Sequence, residues 1–235
     1  SERRKFLDKM VEIFYPEHLS HIYSYEYAMR ERSKLLQVNP DPIWLSTLED
    51  KMAQRAIAIA ASRIDTISFI QQAIDNSTTC FPKATISATG FIEDLLKDHK
   101  AVEVEEIYRG KLHQMRHLDQ ISKRTNFGSH KSDLVVMYND KNMPAGLCST
   151  GEQKALLISL IMAQVRAKTQ WHGTIPILLL DEVVAHLDEV RRNNLYQELL
   201  DLGAQIFMTG VTKELFTFLS EKAQYLEIKN SQLVD

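Results

Sequence analysis

The feature that most constrains the fold is the run from residue 43 to residue 75, which contains neither glycine nor proline. Apolar residues recur along this run at spacings of three and four: Leu45, Leu48, Met52, Ala56, Ile59, Ile67, Ile70 and Ile74. Only Arg63 breaks the stripe. The spacing predicts one face of a helix, about 50 Å long at ~1.5 Å per residue. Asp41 is expected to cap it, with Pro42 at its first position.

The rest of the first half is also mainly helical. A second helix is predicted over residues 16–38, joined to the long one by a turn at Asn39–Pro42, so that the two form a hairpin. A loop to residue 82, a strand over 84–89, a helix over 102–121 and a strand over 133–138 follow. We therefore expect a helical arm, or lid, domain over residues 1–122 and a second domain over residues 123–235.

The second half alternates between helices and short apolar runs. The predicted elements are an apolar helix over 152–168, a strand over 175–180, a helix over 189–202 ended by Gly203, a strand over 204–209, a helix over 213–222 and a strand pair over 224–234. The strand over 175–180 is continuously apolar, which is typical of a central parallel strand covered on both faces. The alternation predicts an α/β fold with a parallel sheet and right-handed crossovers.

Composition places the chain among ordinary globular proteins, with 44% apolar and 25% charged residues. No apolar run approaches the ~20 residues that cross a bilayer, and the charged first residues do not resemble a signal peptide. Cys80 and Cys148 are too few for a disulfide framework. We therefore expect a cytoplasmic protein with no membrane partner. The net charge of −3 lowers the expectation of nucleic-acid binding without removing it.

Two acids follow the apolar strand directly. Ile177–Leu180 leads into Asp181 and Glu182, and α/β sheets bind ligands at the carboxyl ends of their strands. In ATPases the first acid of such a pair helps to hold magnesium, and the second can activate a water. The alternative is an acidic loop that closes a strand and caps the next helix.

Upstream, Ser149–Gln153 begins the apolar helix of the second half. Ser149 is a good N-cap, and a helix N-terminus offers free N–H groups and a positive dipole end to a phosphate. The alternative is a plain capping box, with Ser149 as the cap and Glu152 at the third helical position.

Together the two segments have the order and spacing of an ABC-type ATPase: a signature loop, a buried helix, an apolar strand and Asp-Glu. Val183–Asp188 then resembles the D-loop of that class. The resemblance narrows to the RecF family of SMC-like ABC ATPases, covers nearly the whole chain and is densest from Arg124 to Gly210. It rests on these segments: residues 149–158, 178–188 and 203–210, Arg191-Arg192, Arg124-Thr125, Gly128–Leu134 and the opening Arg-Arg-Lys-Phe-Leu-Asp.

The resemblance implies an ABC/SMC-like ATPase head with a helical lid, in which residues 123–235 form the C-terminal ATPase lobe. Asp181 would hold Mg²⁺ through water and Glu182 would be the general base. The signature loop would contact ATP held by a partner subunit; it comprises Ser149, Thr150, Gly151, Glu152 and Gln153. His186 and Asp188 of the D-loop would lie at the interface of an ATP-dependent homodimer.

The family also implies a biological role. Its members bind DNA near junctions of single and double strands, cooperate with RecO and RecR, and help to load RecA during DNA repair, replication, recombination and the SOS response. Lys123, Arg124, His130 and Lys131 surround a glycine turn and are the candidate DNA-phosphate contacts. The alternative for this basic group is a solvated loop, or one that supports the signature helix.

The sequence also departs from the family pattern. It contains no Gly-x-x-x-x-Gly-Lys-Ser/Thr motif, which the family carries in an N-terminal lobe. We therefore expect a part of a longer or split protein that does not hydrolyse ATP alone. Thr150 and Cys148 replace the glycine and leucine usual in the wider class, and Thr209-Gly210-Val211 stands where transporters have a switch histidine. Two other readings remain open: a non-catalytic DNA- or protein-interaction module, and another SMC-like head.

Overall fold

The computed structural model describes residues 1–79, 81–229 and 232–234, without the side chains of His186 and Val234. Its α-helices are α1 (Glu2–Glu12), α2 (His18–Val38), α3 (Pro42–Asp75), α4 (Phe91–Leu95), α5 (Ala101–Gln114), α6 (Arg116–Ser122), α7 (Thr150–His172) and α8 (Glu189–Leu202). Its strands are β1 (Ala84–Thr89), β2 (Asp133–Tyr138), β3 (Met143–Pro144), β4 (Leu178–Leu180), β5 (Ile206–Met208), β6 (Glu227–Lys229) and β7 (Gln232–Val234). Cys148 is buried, whereas Cys80 lies outside the described residues.

The hairpin of α2 and α3 forms the arm that the apolar stripe predicts. Asp41 caps α3, because its Oδ1 accepts hydrogen bonds from the amides of Ile43 at 2.8 Å and Trp44 at 3.1 Å. Pro42 occupies the first turn, where no intrahelical donor is needed. The expected cap and helix start are confirmed.

Two arginines lie inside the arm, each with acidic partners. Arg32 on α2 is fully buried, and its guanidinium donates to Glu49 Oε1 at 2.9 Å and to Asp119 Oδ2 at 2.7 Å. Arg63 is buried on α3 and donates to Asp8 Oδ1 at 2.9 Å and to Glu93 Oε1 at 3.1 Å. The break in the apolar stripe at Arg63 is therefore a core position whose charge is neutralised by acids from other helices.

The helix predicted over residues 102–121 is two helices, α5 and α6, divided at Met115. Met115 ends α5 and begins α6 with φ −85° and ψ −2°. The division places Asp119 of α6 against Arg32, so the break serves the buried ion pair.

The first sheet joins the arm to the second half of the chain. Strand β1 pairs antiparallel with β2, with Ala84 opposite Tyr138, and β2 pairs with β3. One core lies among this sheet, α1, α3 and α7, and its buried members include Leu7, Met10, Ile70, Ile74, Ile86, Leu134, Leu156 and Leu160. This pairing and this core cross residue 122, so the division into domains at that point stays a prediction.

The second sheet has two parallel strands, β4 and β5, connected through α8. Helix α7 and α8 cover one face, with Leu178 and Leu180 packed into a core of Ile158, Met162, Val184, Leu195 and Leu199. Gly203 ends α8 in the left-handed conformation, as expected.

The expectation that the strand before Asp181 is covered on both faces is wrong. Among the described residues β4 spans Leu178–Leu180 only, and Leu179 is 76% exposed. Ile177 and Phe207 are exposed beside it. The physical reason is that α7 and α8 pack against one face, while no described element covers the other.

The end of the chain also differs from expectation. Residues Lys213–Leu219 form a 3₁₀ helix rather than an α-helix. The expected terminal strand pair is present as the antiparallel hairpin of β6 and β7. No helix in the described ranges is both long and apolar enough to cross a membrane.

Candidate functional site

The two acids singled out in the sequence lie immediately after β4, at its carboxyl end. Asp181 and Glu182 are both exposed, although the strand that delivers them is anchored by the buried Leu178 and Leu180. A rigid strand therefore presents two adjacent carboxylates to solvent, at the edge where α/β sheets bind ligands.

Thr209 connects both acids to the neighbouring strand. Its Oγ1 donates to Asp181 Oδ1 at 2.5 Å and accepts the amide of Glu182 at 2.9 Å. Its own amide donates to the carbonyl of Leu180 at 3.1 Å, which continues the pairing of β4 with β5. Sequence reasoning noted Thr209 only as a departure from the class. Its place at the end of the strand beside the acid-bearing strand is the signal that could have found it.

Glu182 adopts a backbone conformation that is unusual for its residue type. Its φ of 50° and ψ of 18° lie in the left-handed region, which costs a non-glycine residue ~1–2 kcal/mol. Such strain persists only where surrounding contacts hold it, and it concentrates at functional sites.

The acids fit a magnesium ion that takes most of its ligands from elsewhere. Among the described residues no hydrogen bond reaches the second carboxylate oxygen of Asp181, and no group of three or more metal-binding side chains is present. Magnesium usually binds one or two carboxylates and completes its octahedron with waters and phosphate oxygens. Asp181 supplies a donor of that kind.

Ser149 caps α7, and the capping box is present. Ser149 Oγ accepts the Glu152 amide at 3.4 Å, while Glu152 Oε2 accepts from the Ser149 amide at 3.0 Å and hydroxyl at 2.8 Å. Lys141 Nζ lies 2.5 Å from Glu152 Oε1. Hydrogen bonds from Lys141 and Ser149 lower the pKa of Glu152 to about 2, so its carboxylate stays charged at neutral pH. Gln153 donates to the Cys148 carbonyl at 2.9 Å and fixes the loop before the helix.

Gly151 is not required by the fold itself. A Cβ at this position would meet no atom within 4 Å, and its φ is not positive. At Gly128, by contrast, φ is 133° and a Cβ would overlap the hydroxyls of Tyr25 and Tyr108. Ser149 and Thr150 are exposed beside Gly151. A glycine that leaves the N-terminal turn of a helix bare permits close approach by a ligand from outside the chain.

The D-loop segment follows the acids as a 3₁₀ turn, Val183–His186, anchored by the fully buried Val184. Asp188 caps α8 by accepting the Arg191 amide at 2.9 Å, and its side chain is exposed. The side chain of His186 lies outside the described part of the chain.

The four basic residues near the glycine turn differ in their exposure. Lys123, Arg124 and Lys131 are exposed. His130 is not available in the same way, since its ring nitrogens lie 2.9 Å from the hydroxyl of Tyr25 and 2.9 Å from the carbonyl of Thr125. Burial lowers the pKa of His130, which keeps the ring neutral. Both ring nitrogens of His130 are therefore engaged within the protein, one by Tyr25 of the arm and one by Thr125, and contact of His130 with a DNA phosphate stays a prediction.

No family model matches the chain, but the relatives reported below all carry the same name. The chain is 40% identical over 236 residues to "DNA replication and repair protein RecF" of Rhizobium meliloti (strain 1021), covering 99% of the chain and 63% of that protein. It is 42% identical over 236 residues to the protein of that name from Brucella abortus (strain 2308), covering 99% and 62%. The Rickettsia akari (strain Hartford) relative of that name is 42% identical over 229 residues, covering 97% and 63%.

Solved structures show the same likeness in three dimensions. "Structure of the recombination mediator protein RecF-ATPrS in RecFOR pathway" superposes with a TM-score of 0.81 at 20% identity, covering 99% of this chain and 62% of that one. A RecF-ATP structure of the same pathway gives a TM-score of 0.80 at 19% identity, covering 100% and 62%. The expected α/β fold of an ABC/SMC-like head with a helical arm is confirmed. The chain spans 62–63% of the length of these relatives.

Proposed function

Because the chain is 40–42% identical over 99% of its length to proteins named RecF, we propose that it belongs to the RecF family and is part of an ATP-dependent DNA-binding repair protein. In this proposal it supplies the hydrolytic strand and the signature loop of an ATPase, while the P-loop comes from a segment outside it. ATP then joins two copies into a homodimer on DNA at junctions of single and double strands. Hydrolysis releases the dimer.

The observation that carries the proposal is the arrangement at the carboxyl end of β4. Asp181 and Glu182 are exposed there, and the hydroxyl of Thr209, directly after the next parallel strand, donates to the Asp181 carboxylate and accepts the backbone amide of Glu182. The same chain presents a capped helix N-terminus with a bare glycine, Gly151. An acidic loop that only closed a strand would not need the strained backbone of Glu182.

Each residue has a distinct task in hydrolysis. Magnesium, when bound, neutralises charge on the terminal phosphates of ATP. Asp181 would hold Mg²⁺ through water with the carboxylate oxygen that makes no described hydrogen bond. Glu182 accepts a proton from the attacking water as general base. Ser149 and the amides after it present hydrogen-bond donors and the positive end of α7 to ATP held by the partner subunit.

The bare face of the second sheet supports the view that a further segment belongs here. Leu179, Ile177 and Phe207 leave apolar surface in solvent next to the candidate acids. The RecF relatives are longer than this chain by more than a third of their own length, since the chain covers 62–63% of them. We propose that residues 1–122 act as the helical arm and residues 123–235 as the C-terminal lobe, which the P-loop lobe completes.

DNA and protein partners follow from the family. We propose that Lys123, Arg124 and Lys131 contribute sequence-independent contacts to DNA phosphates, and that RecO and RecR act with the protein to load RecA. His186 and Asp188 are proposed to face the second subunit, as in the D-loops of the class.

The test compares the complete protein with its Glu182→Gln variant. We expect Glu182→Gln to bind ATP and to dimerise with it, but to hydrolyse ATP about 100-fold more slowly or worse, since a general base usually contributes ~10²–10⁴-fold. Turnover is measured by phosphate release and dimerisation by light scattering. Glu221→Gln, at an exposed glutamate of the same lobe, is the matched control and should hydrolyse ATP at the wild-type rate.

Unchanged turnover in Glu182→Gln would remove the general-base role. A complete wild-type protein that binds DNA but hydrolyses no ATP would instead fit the non-catalytic interaction module. The rate of ATP hydrolysis by the wild-type protein therefore distinguishes an ATPase from an interaction module. The rate of the Glu182→Gln variant tests the role of Glu182.

A further inference from the structure

The position of the transporters' switch histidine is filled here by Thr209, and its contacts give it a task of its own. We propose that Thr209 is a positioning residue that holds Asp181 and Glu182 in the geometry for hydrolysis and couples both to β5. The inference rests on the proposed ATPase function, because it concerns the same two acids.

The polarity of the hydrogen bonds around Thr209 is fixed. A hydroxyl has one proton and two lone pairs. The Glu182 amide can only donate, so it uses a lone pair of Thr209 Oγ1 at 2.9 Å. The single proton of Thr209 therefore points to Asp181 Oδ1 at 2.5 Å. A hydrogen bond to a charged carboxylate is shorter and stronger than a neutral one.

Two consequences follow for the acids. One oxygen of Asp181 is hydrogen-bonded to Thr209, so the carboxylate cannot rotate freely, and its other oxygen keeps one direction in which it would hold Mg²⁺ through water. The amide of Glu182 is held at the same hydroxyl, which stabilises the left-handed backbone that aims the Glu182 side chain. One hydroxyl thus orients the proposed metal ligand and the proposed base together.

Thr209 is itself held on two sides, by its own contact with β4 and by the contact of the next residue with the 3₁₀ helix that contains Phe216. The Thr209 amide donates at 3.1 Å to the carbonyl of Leu180, which is the residue before the two acids. Gly210 follows so close to Phe216 that a Cβ would lie 2.7 Å from the ring. A shift of β5 relative to β4 would therefore move the hydroxyl away from both acids at once. This gives the sheet a direct mechanical connection to the reacting groups.

The experiment uses Thr209→Val, which keeps the shape and removes the hydroxyl, and Thr209→Ser, which keeps the hydroxyl. In the complete protein Thr209→Val is expected to lower kcat for ATP about 10- to 100-fold, because small misplacements of catalytic groups have effects of up to ~10²-fold. KM for ATP should change by less than about 3-fold, since ATP is held mainly elsewhere. Thr209→Ser should recover most of the rate. Thr174→Val is the control, at an exposed threonine for which no side-chain hydrogen bond is described.

A second readout needs neither nucleotide nor turnover. In the complete protein without nucleotide, hydrogen exchange at the Glu182 amide should be about 3- to 10-fold faster in Thr209→Val than in wild type, which reflects the loss of one hydrogen bond. Thr209→Ser should keep the wild-type exchange rate. Thermal unfolding and exchange at buried amides of β4 identify any variant whose fold is disturbed, and Thr209→Ala then replaces Thr209→Val.

The outcomes separate this inference from the proposed function. If Glu182→Gln abolishes turnover while Thr209→Val keeps the wild-type kcat and Glu182 amide exchange, the role of Thr209 is overturned and the ATPase assignment stands. The role of Thr209 is also contradicted if Thr209→Val lowers the rate of ATP hydrolysis and Thr209→Ser does not restore it. If Glu182→Gln leaves turnover unchanged, the general-base role of Glu182 fails, and the role of Thr209 in positioning that base fails with it.

Discussion

The arm and the second sheet solve the problem of burial in opposite ways. In the arm, the buried Arg32 and Arg63 each contact at least two carboxylates within hydrogen-bonding distance. In the lobe around β4 and β5, apolar side chains such as Leu179 are left in solvent. The arm buries its charged side chains with hydrogen-bonded partners, whereas the second sheet leaves one apolar face uncovered.

A buried glutamate in the lobe sharpens this contrast. Arg166 lies 3.2 Å from Glu198, yet neither carboxylate oxygen of Glu198 makes a hydrogen bond of good geometry. The contact is thus close but misaligned, and burial raises the pKa of Glu198. A buried charge without full hydrogen bonding is costly. The lobe therefore buries a carboxylate without a well-aligned hydrogen bond, whereas the carboxylates that face Arg32 and Arg63 in the arm are hydrogen-bonded.

The largest expected effect is the loss of a charge from the arm. Arg32→Met should lower the free energy of unfolding by ~3–5 kcal/mol, because Glu49 and Asp119 remain buried without their shared partner. Urea unfolding of the chain measures this effect. Arg30→Met, at an exposed arginine of the same helix, should change stability by less than about 0.5 kcal/mol. Equal effects of the two changes would mean that the arm does not depend on its charged core.

Adjacent leucines of β4 provide the next comparison. Leu180→Ala should cost ~2–5 kcal/mol, because Leu180 is packed beneath α7. Leu179→Ala should cost under about 1 kcal/mol in this chain, since Leu179 is 76% exposed. Chemical unfolding measures both. If Leu179→Ala proved as costly as Leu180→Ala, the second face of the sheet would be covered in solution.

A smaller effect concerns pH and His130, whose ring contacts Tyr25 of the arm. Burial holds the pKa of His130 below the ordinary value of 6.5, so below that pH the unfolded chain takes up the proton before the folded chain does. Stability contributed by neutral His130 is therefore present above pH 6.5 and is lost as pH falls toward the lower folded pKa. The slope for one proton is at most ~1.4 kcal/mol per pH unit.

Unfolding measured between pH 5 and pH 8 tests this slope, and His130→Gln should flatten it. His113→Gln is the control, because His113 is exposed on α5. An identical pH dependence in wild type and His130→Gln would exclude His130 as the source. His21, whose pKa is also lowered by burial, would then be the residue to change.

Features governed by local sequence were predictable. The cap at Asp41, the length of α3 and the capping box at Ser149 depend on neighbouring residues, and all are present. Features governed by tertiary contacts were not. Arg32 resembles a solvent-facing charge of α2 until α3 and α6 bring Glu49 and Asp119 to it.

The candidate site divides in the same way. Asp181, Glu182 and the candidate signature loop could be singled out by their order along the chain. Thr209 could not be assigned a role, because its contact depends on which strand lies beside β4. The exposure of Leu179 could not be predicted either. A continuous apolar run shows that both faces of a strand are apolar, but it does not show whether other elements cover both faces.

The most direct test of the central claim mixes two variants of the complete protein. Gly151→Arg would block the proposed signature loop at a position where the fold has open space, and Glu182→Gln would remove the proposed general base. If each ATP site combines Glu182 of one subunit with the signature loop of the other, both variants are inactive alone. Their equal mixture should recover about a quarter of wild-type ATP hydrolysis, because half of the dimers are mixed and each mixed dimer has one intact site. A mixture as inactive as either variant would contradict a site shared between two copies.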